Sequence, residues 1–149
     1  MLSSQEMSDR LEIQDVLVSY CEAIDRGDWA ALDDIFTADA IIDYTAAGGA
    51  KGNLQETKAY LAKALKPFSG MQHMLGLPRI KVTGDSATSR TTLFNPMVIE
   101  REGRPHVFFV GLWYRDELVR TEAGWRIQSR HEELSYFHNL PADFIPAEI

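Results

Sequence analysis

The sequence predicts an α+β fold, with helices first and a run of meandering antiparallel strands after them. Three observations carry this. Apolar residues recur at helical spacing from Ser8 to Asp25. A second helical stretch runs from Asn53 and is ended by Pro67. Beyond Pro67, four long β-type segments follow, separated by turn signals. A strongly curved sheet wrapped around the helices would leave a deep apolar pocket open at one end.

In the first helix Leu11, Ile13, Val16, Leu17, Tyr20, Cys21 and Ile24 form a wide apolar face. Ser8 suits the cap, and Gly27 suits a left-handed residue beyond the end. Asp28 reads as the cap of a short helix from Trp29 to Phe36. Ala40 to Tyr44 reads as a short strand, and Ala46 to Gly52 as a flexible loop. Asn53 caps a further helix to about Lys66. The β segments are Gln72 to Thr83, Ser86 to Arg101, His106 to Leu118 and Trp125 to Tyr136. Gly84-Asp85, Glu102 to Pro105 and Glu122 to Gly124 mark the turns between them. Asn95-Pro96, in the middle of a strand, predicts a bulge. The tail from Leu140 to Ile149 is irregular but apolar and is expected to pack over the body of the molecule.

A length of 149 residues is that of one domain, 1–149, large enough for a sizeable core. Apolar residues make up 45% and charged ones 25%, which argues against disorder. The net charge of -7 repels phosphate backbones and anionic lipid, so neither nucleic acid nor a membrane is expected as a partner. No apolar run approaches the ~20 residues that span a bilayer. The N-terminus lacks the basic start and apolar core of a signal peptide, so a cytoplasmic protein is expected. One cysteine, Cys21, excludes an internal disulfide, and the four histidines show no paired ligand spacing, so no metal is expected.

Two polar residues stand out. Asp25 shares the apolar face of Cys21 and Leu17, in the last turn, where the helix dipole disfavours a negative charge. It needs a partner: Arg26, a backbone amide of the following turn, or an imidazole. His73 opens the strand-like run Gln72-His73-Met74-Leu75-Gly76-Leu77. Bonded to Asp25 through one ring nitrogen, it becomes a general base at the other. No serine or cysteine is placed for covalent attack, so proton abstraction from carbon is the chemistry expected. The strands carry Phe94, Phe108, Phe109, Trp113, Tyr114, Tyr136 and Phe137, which either fill the core or line a cavity for a cyclic ligand. Arg130 and His131 are adjacent, so only one faces inward on a regular strand. Arg130 has an alternative as an ion pair with Glu132 or Asp116 on the sheet exterior.

The order of elements resembles the cone-shaped fold of nuclear transport factor two and SnoaL-like proteins. Several motifs resemble the branch of scytalone dehydratase, hexachlorocyclohexane dehydrochlorinase and bile-acid dehydratase. Tyr20-Cys21-Glu22-Ala23-Ile24-Asp25-Arg26-Gly27-Asp28-Trp29 resembles the helix end with that branch's catalytic Asp. Ile42-Asp43-Tyr44 is similar to a strand supplying a substrate-facing tyrosine, and Gln72-His73-Met74-Leu75-Gly76 to the segment with its histidine. Trp125-Arg126-Ile127, Arg130 and Tyr136-Phe137 resemble the last strand, where the dehydrochlorinase has a pocket arginine. The resemblance covers Ser8 to Phe137. It implies a cone-shaped, curved antiparallel sheet wrapped around the N-terminal helices. It also implies a cofactor-independent, dehydratase-like lyase that eliminates across a carbon–oxygen bond of a small, cyclic, mostly apolar substrate. His73 and Asp25 are its expected catalytic pair, with Tyr20, Tyr44, Phe94, Phe109, Trp113 and Arg130 around the substrate. The alternatives are an isomerase or polyketide cyclase with the same pair, and a non-catalytic binding protein. Related dehydratases imply a homo-oligomer, a trimer or else a dimer, and a tail that lids the pocket through Phe144 and Ile145. Two departures concern the substrate. Tyr20 stands where the dehydrochlorinase has lysine, and His106, aligned with the second histidine of scytalone dehydratase, falls one residue out of step.

Overall fold

The computed structural model describes residues 1–144. Helix α1 (Ser4–Arg26) begins a turn earlier than its apolar period implies. Its cap is Ser3, whose Oγ accepts from the Glu6 amide at 3.1 Å, while Ser8 lies inside the helix and bonds Glu12. Gly27, at φ 67°, ends the helix, and its N–H donates back to Ala23 and Ile24. The expected helix from Trp29 to Phe36 is one 3-10 turn, Ala30–Asp34. Phe36 is drawn instead into pairing with Ile127 and starts strand β1 (Phe36–Asp43).

The expected loop after Tyr44 contains a 3-10 turn, Thr45–Ala47, and strand β2 (Lys51–Asn53). Helix α2 (Leu54–Ala64) follows a capping box: Asn53 Oδ1 accepts from the Glu56 amide, and Glu56 Oε2 accepts from the Asn53 amide. The chain then forms β3 (Phe68–Met71), β4 (Met74–Leu75) and β5 (Arg79–Thr83), all pairing with β6 (Ser86–Arg101). The single strand expected from Gln72 to Thr83 is thus broken, and Pro78, with no N–H to give a ladder, lies in one gap. Strands β7 (Arg104–Thr121) and β8 (Gly124–His138) complete the set.

These eight strands form one curved sheet in the order β2-β1-β8-β7-β6, with β3, β4 and β5 sharing the outer edge of β6. All pairs are antiparallel except β1 with β8. The inner face is set by period two: odd residues of β6 from Ala87 to Ile99 are buried, as are even residues of β7 from Phe108 to Leu118. Two bulges in β8 change its parity. Opposite Glu117-Leu118 one shifts the inner set from Trp125 and Ile127 to Arg130 and Glu132. A second, opposite Gly111-Leu112, puts Tyr136 across Gly111, where any Cβ would strike the tyrosine ring.

The bulge expected at Asn95-Pro96 is absent from the β6–β7 ladder, which runs in register through both residues. Pro96 turns its N–H-less side to the other edge, so the interruption falls between β3 and β4. Among the described residues no helix is long and apolar enough to cross a membrane.

Two buried ionic clusters tie the layers together. Asp9, 2% exposed, accepts from Arg120 Nη1 and Nη2 at 2.8 Å each and from the Trp125 indole at 3.2 Å. This clamps the start of α1 to β7 and β8. The Arg120 bonds hold the Asp9 carboxyl down to about 2 from its ordinary 3.8. Deeper in, Arg130 gives Nε and Nη2 to the two oxygens of Asp116 at 2.7 and 2.9 Å, and Ser89 donates to Asp116 as well. The Arg130 guanidinium lies 4.0 Å from the ring centres of both Tyr20 and Tyr114.

Because Asp9 is depressed on folding, its contribution to stability is present above pH 3.8 and is lost as pH falls through about 2. Asp9→Asn should lower unfolding free energy by roughly 1–3 kcal/mol at neutral pH. The gap to the parent should narrow below about pH 4 in urea titrations. Asp116→Asn leaves the Arg130 charge buried alone and should cost about 3–5 kcal/mol in the same assay. The double variant Asp116→Leu with Arg130→Met should recover most of that loss.

Candidate functional site

A cavity of about 140 Å³ lies between the two helices and the inner face of the sheet. That is close to the ~150 Å³ of an apolar cavity that admits benzene. Ile24, Leu61, Leu93, Met97, Phe108 and Leu112 supply apolar wall. The polar groups on it are Tyr20, Tyr44, Tyr60, His73, Asn95, Tyr114 and Glu132.

Asp25 and His73 meet. Asp25 Oδ1 lies 2.6 Å from His73 Nδ1, and Asp25 Oδ2 accepts from the His73 backbone N–H at 3.0 Å. The second bond exists because of alternation along this edge. His73 sits in the gap between β3 and β4, opposite Asn95; Gln72 and Gly76 give their N–H groups to the Pro96 and Thr92 carbonyls, so the His73 N–H turns away from β6. Arg26, the other partner considered for Asp25, turns to Glu22. With the Asp25 bond fixing a proton on Nδ1, the lone pair of Nε2 lies 3.5 Å from the Asn95 amide nitrogen, a fellow member of the cavity wall. His73 also borders a separate recess, which it shares with Asp25, Val18, Cys21 and Leu75.

The Tyr20 and Tyr44 hydroxyls are 2.7 Å apart in the wall. Burial pushes Tyr20 up to about 12 and holds Tyr44 and Tyr114 well above the usual phenol range. All three therefore keep their protons, and one O–H of the Tyr20–Tyr44 pair is left to donate elsewhere. Burial likewise pushes the Cys21 thiol up to about 11, away from any role as nucleophile.

Other expected pocket residues lie elsewhere. Phe94, Phe109 and Trp113 occupy the outer face, because they alternate with the inward Leu93, Asn95, Phe108, Val110, Leu112 and Tyr114. There Phe94 packs on Phe109, Phe109 stacks on His138, and Arg90 covers Trp113. Arg130 does face inward while His131 points out, but it is absent from the cavity wall. Neither is it on the exterior: its pair with Asp116 is wholly buried. His106 shares the parity of Phe108, yet its Nε2 bonds the Asn139 carbonyl at 2.7 Å, away from the cavity wall. Phe144 reaches the cavity and packs on Phe68 and Phe108, whereas Ile145 lies outside the described residues.

Glu132 and Asn95 were not singled out for the site. Both are nearly buried, and Glu132 Oε2 and Asn95 Oδ1 lack hydrogen-bond partners among the described residues. Burial pushes the Glu132 carboxyl up to about 8 against the pull of Arg130, with Asp43 adding to the rise. Simple parity with Arg130 was the available signal for Glu132. Among the described residues, no group of three or more His, Cys, Asp or Glu is arranged to hold a metal ion.

The fold recurs in known proteins. An uncharacterized protein of Mycobacterium tuberculosis is 50% identical over 132 residues, 89% of each chain. A putative scytalone dehydratase from Novosphingobium aromaticivorans superposes with a TM-score of 0.82 at 17% identity, covering 95% of this chain and 93% of that one. A type 2 hexachlorocyclohexane dehydrochlorinase does so with a TM-score of 0.78 at 17% identity, covering 91% of each. At such identities these two structures establish a shared fold. The model of the SnoaL-like domain matches residues 5–131, and with that match the chain belongs to the SnoaL-like domain family.

Proposed function

We propose that the protein is a cofactor-independent lyase of the dehydratase type, acting on a small, one-ring, mostly apolar molecule. The observation that carries this reading is the doubly bonded Asp25–His73 pair at the wall of an apolar cavity. The fold shared with structures described as a putative dehydratase and a dehydrochlorinase supports it.

In this reading His73 Nε2 removes a proton from a carbon acidified by a neighbouring carbonyl. The electron pair left on carbon moves into an enolate and then expels hydroxide from the β-carbon. Asp25 holds the imidazole in its Nδ1–H form and stabilises the imidazolium that results. The Tyr20–Tyr44 pair, kept protonated by burial, donates to the departing or developing oxygen. The hydroxide leaves as water once it takes a proton, and the proton held on His73 balances it.

The test is elimination of water from 3-hydroxycyclohexanone, followed as the ultraviolet absorbance of cyclohex-2-enone. His73→Ala and Asp25→Asn should each cut turnover by about 10²–10⁴-fold with unchanged far-UV circular dichroism. Parent-like turnover in His73→Ala, or no turnover by the parent protein of this or related β-hydroxy ketones, sinks the proposal.

A further inference from the structure

Glu132 is a cavity residue that the elimination above does not use. It combines three properties that rarely coincide. It borders the ligand space, it is 7% exposed, and its Oε2 has no hydrogen-bond partner among the described residues. A buried carboxyl oxygen without a partner costs on the order of 1–3 kcal/mol or more, so its retention in the wall calls for an explanation.

The groups around it decide its charge. Arg130, two residues earlier on the same strand, gives Nε and Nη2 to Asp116, and its Nη1, without a partner among the described residues, makes no hydrogen bond to Glu132. Tyr20 from α1, Tyr60 from α2, Tyr114 from β7 and Tyr44 beyond β1 present neutral phenols to it. Asp43, the other charged group acting on it, is an anion held by Thr45 and Lys51. Among the described residues no cation hydrogen-bonds the Glu132 carboxyl, and burial pushes the group up to about 8 against the attraction of Arg130. At neutral pH the carboxyl keeps its proton and has an O–H to give. Fixed acids of this kind are a known means of gripping an oxygen inside an apolar site.

We propose that Glu132 is the ligand-recognition group of this cavity, its carboxyl O–H donating a hydrogen bond to an uncharged carbonyl or hydroxyl oxygen on a one-ring ligand. This rests on reading the cavity as a substrate site and deepens that reading by naming the substrate class. A ligand carboxylate is disfavoured, because Arg130 lies outside the cavity wall and its charge is already paired with Asp116. A hydrocarbon of the same size leaves the O–H unmatched.

The experiment is calorimetric titration with cyclohex-2-enone at pH 7 and pH 9, a window below the range of the buried phenols. With Glu132 ionising near 8, the parent protein should bind about tenfold more weakly at pH 9. Glu132→Gln keeps an N–H donor that does not titrate, so it should bind equally at both pH values. Glu132→Leu should lose at least tenfold at pH 7. Equal affinity of the parent at both pH values, a tenfold drop that persists in Glu132→Gln, unimpaired Glu132→Leu, or no binding at all each overturns the inference. Turnover without this binding pattern removes only the role of Glu132, whereas the pattern without turnover removes only the lyase.

Discussion

The wall of the cavity is organised by a charge with no route to solvent. The guanidinium of Arg130 and the carboxylate of Asp116 are both 0% exposed, and neither could be left buried without the other. Their two-point bond fixes β8 against β7 in one register. The aromatic faces of Tyr20 and Tyr114 then sandwich the guanidinium, which sets where α1 sits over the sheet. Once Tyr20 is set, its hydroxyl meets that of Tyr44 and the polar corner of the cavity is assembled. Arg130 shapes the site by supporting the groups that line it.

A second constraint lies at the broken edge beside β6. Pro96 offers no N–H to the strand beside it, and the ladder opens between β3 and β4. The amide of His73, turned away from β6 by alternation with those of Gln72 and Gly76, is claimed by Asp25 at the end of α1. The carboxylate that the helix dipole disfavours thus gains a backbone donor and an imidazole together. An outward-facing edge amide and a helix-end charge, each in need of a partner, satisfy one another.

Much of this was legible in the chain. The α+β class, the two α-helices, β6, β7 and β8, and the nearness of Asp25 to His73 followed from periodicity, turn residues and family motifs. The fold is also the one the resemblance implied. What escaped was parity. Phe94, Phe109 and Trp113 were counted as aromatic weight, although alternation with Leu93, Val110 and Leu112 turns them outward. On β8 alternation itself fails, because two bulges switch the inward set, and nothing local in Gln128 or Ser135 announces them. The start of α1 was missed for a related reason: its first turn is polar, so its boundary lay in the cap and not in the hydrophobic period.

His73 forms a partition between two compartments. One ring nitrogen belongs to the cavity, while Asp25, with 23% of its side chain exposed, opens onto the recess on the other side. A molecule that fills the cavity therefore leaves the orienting carboxylate in touch with bulk water.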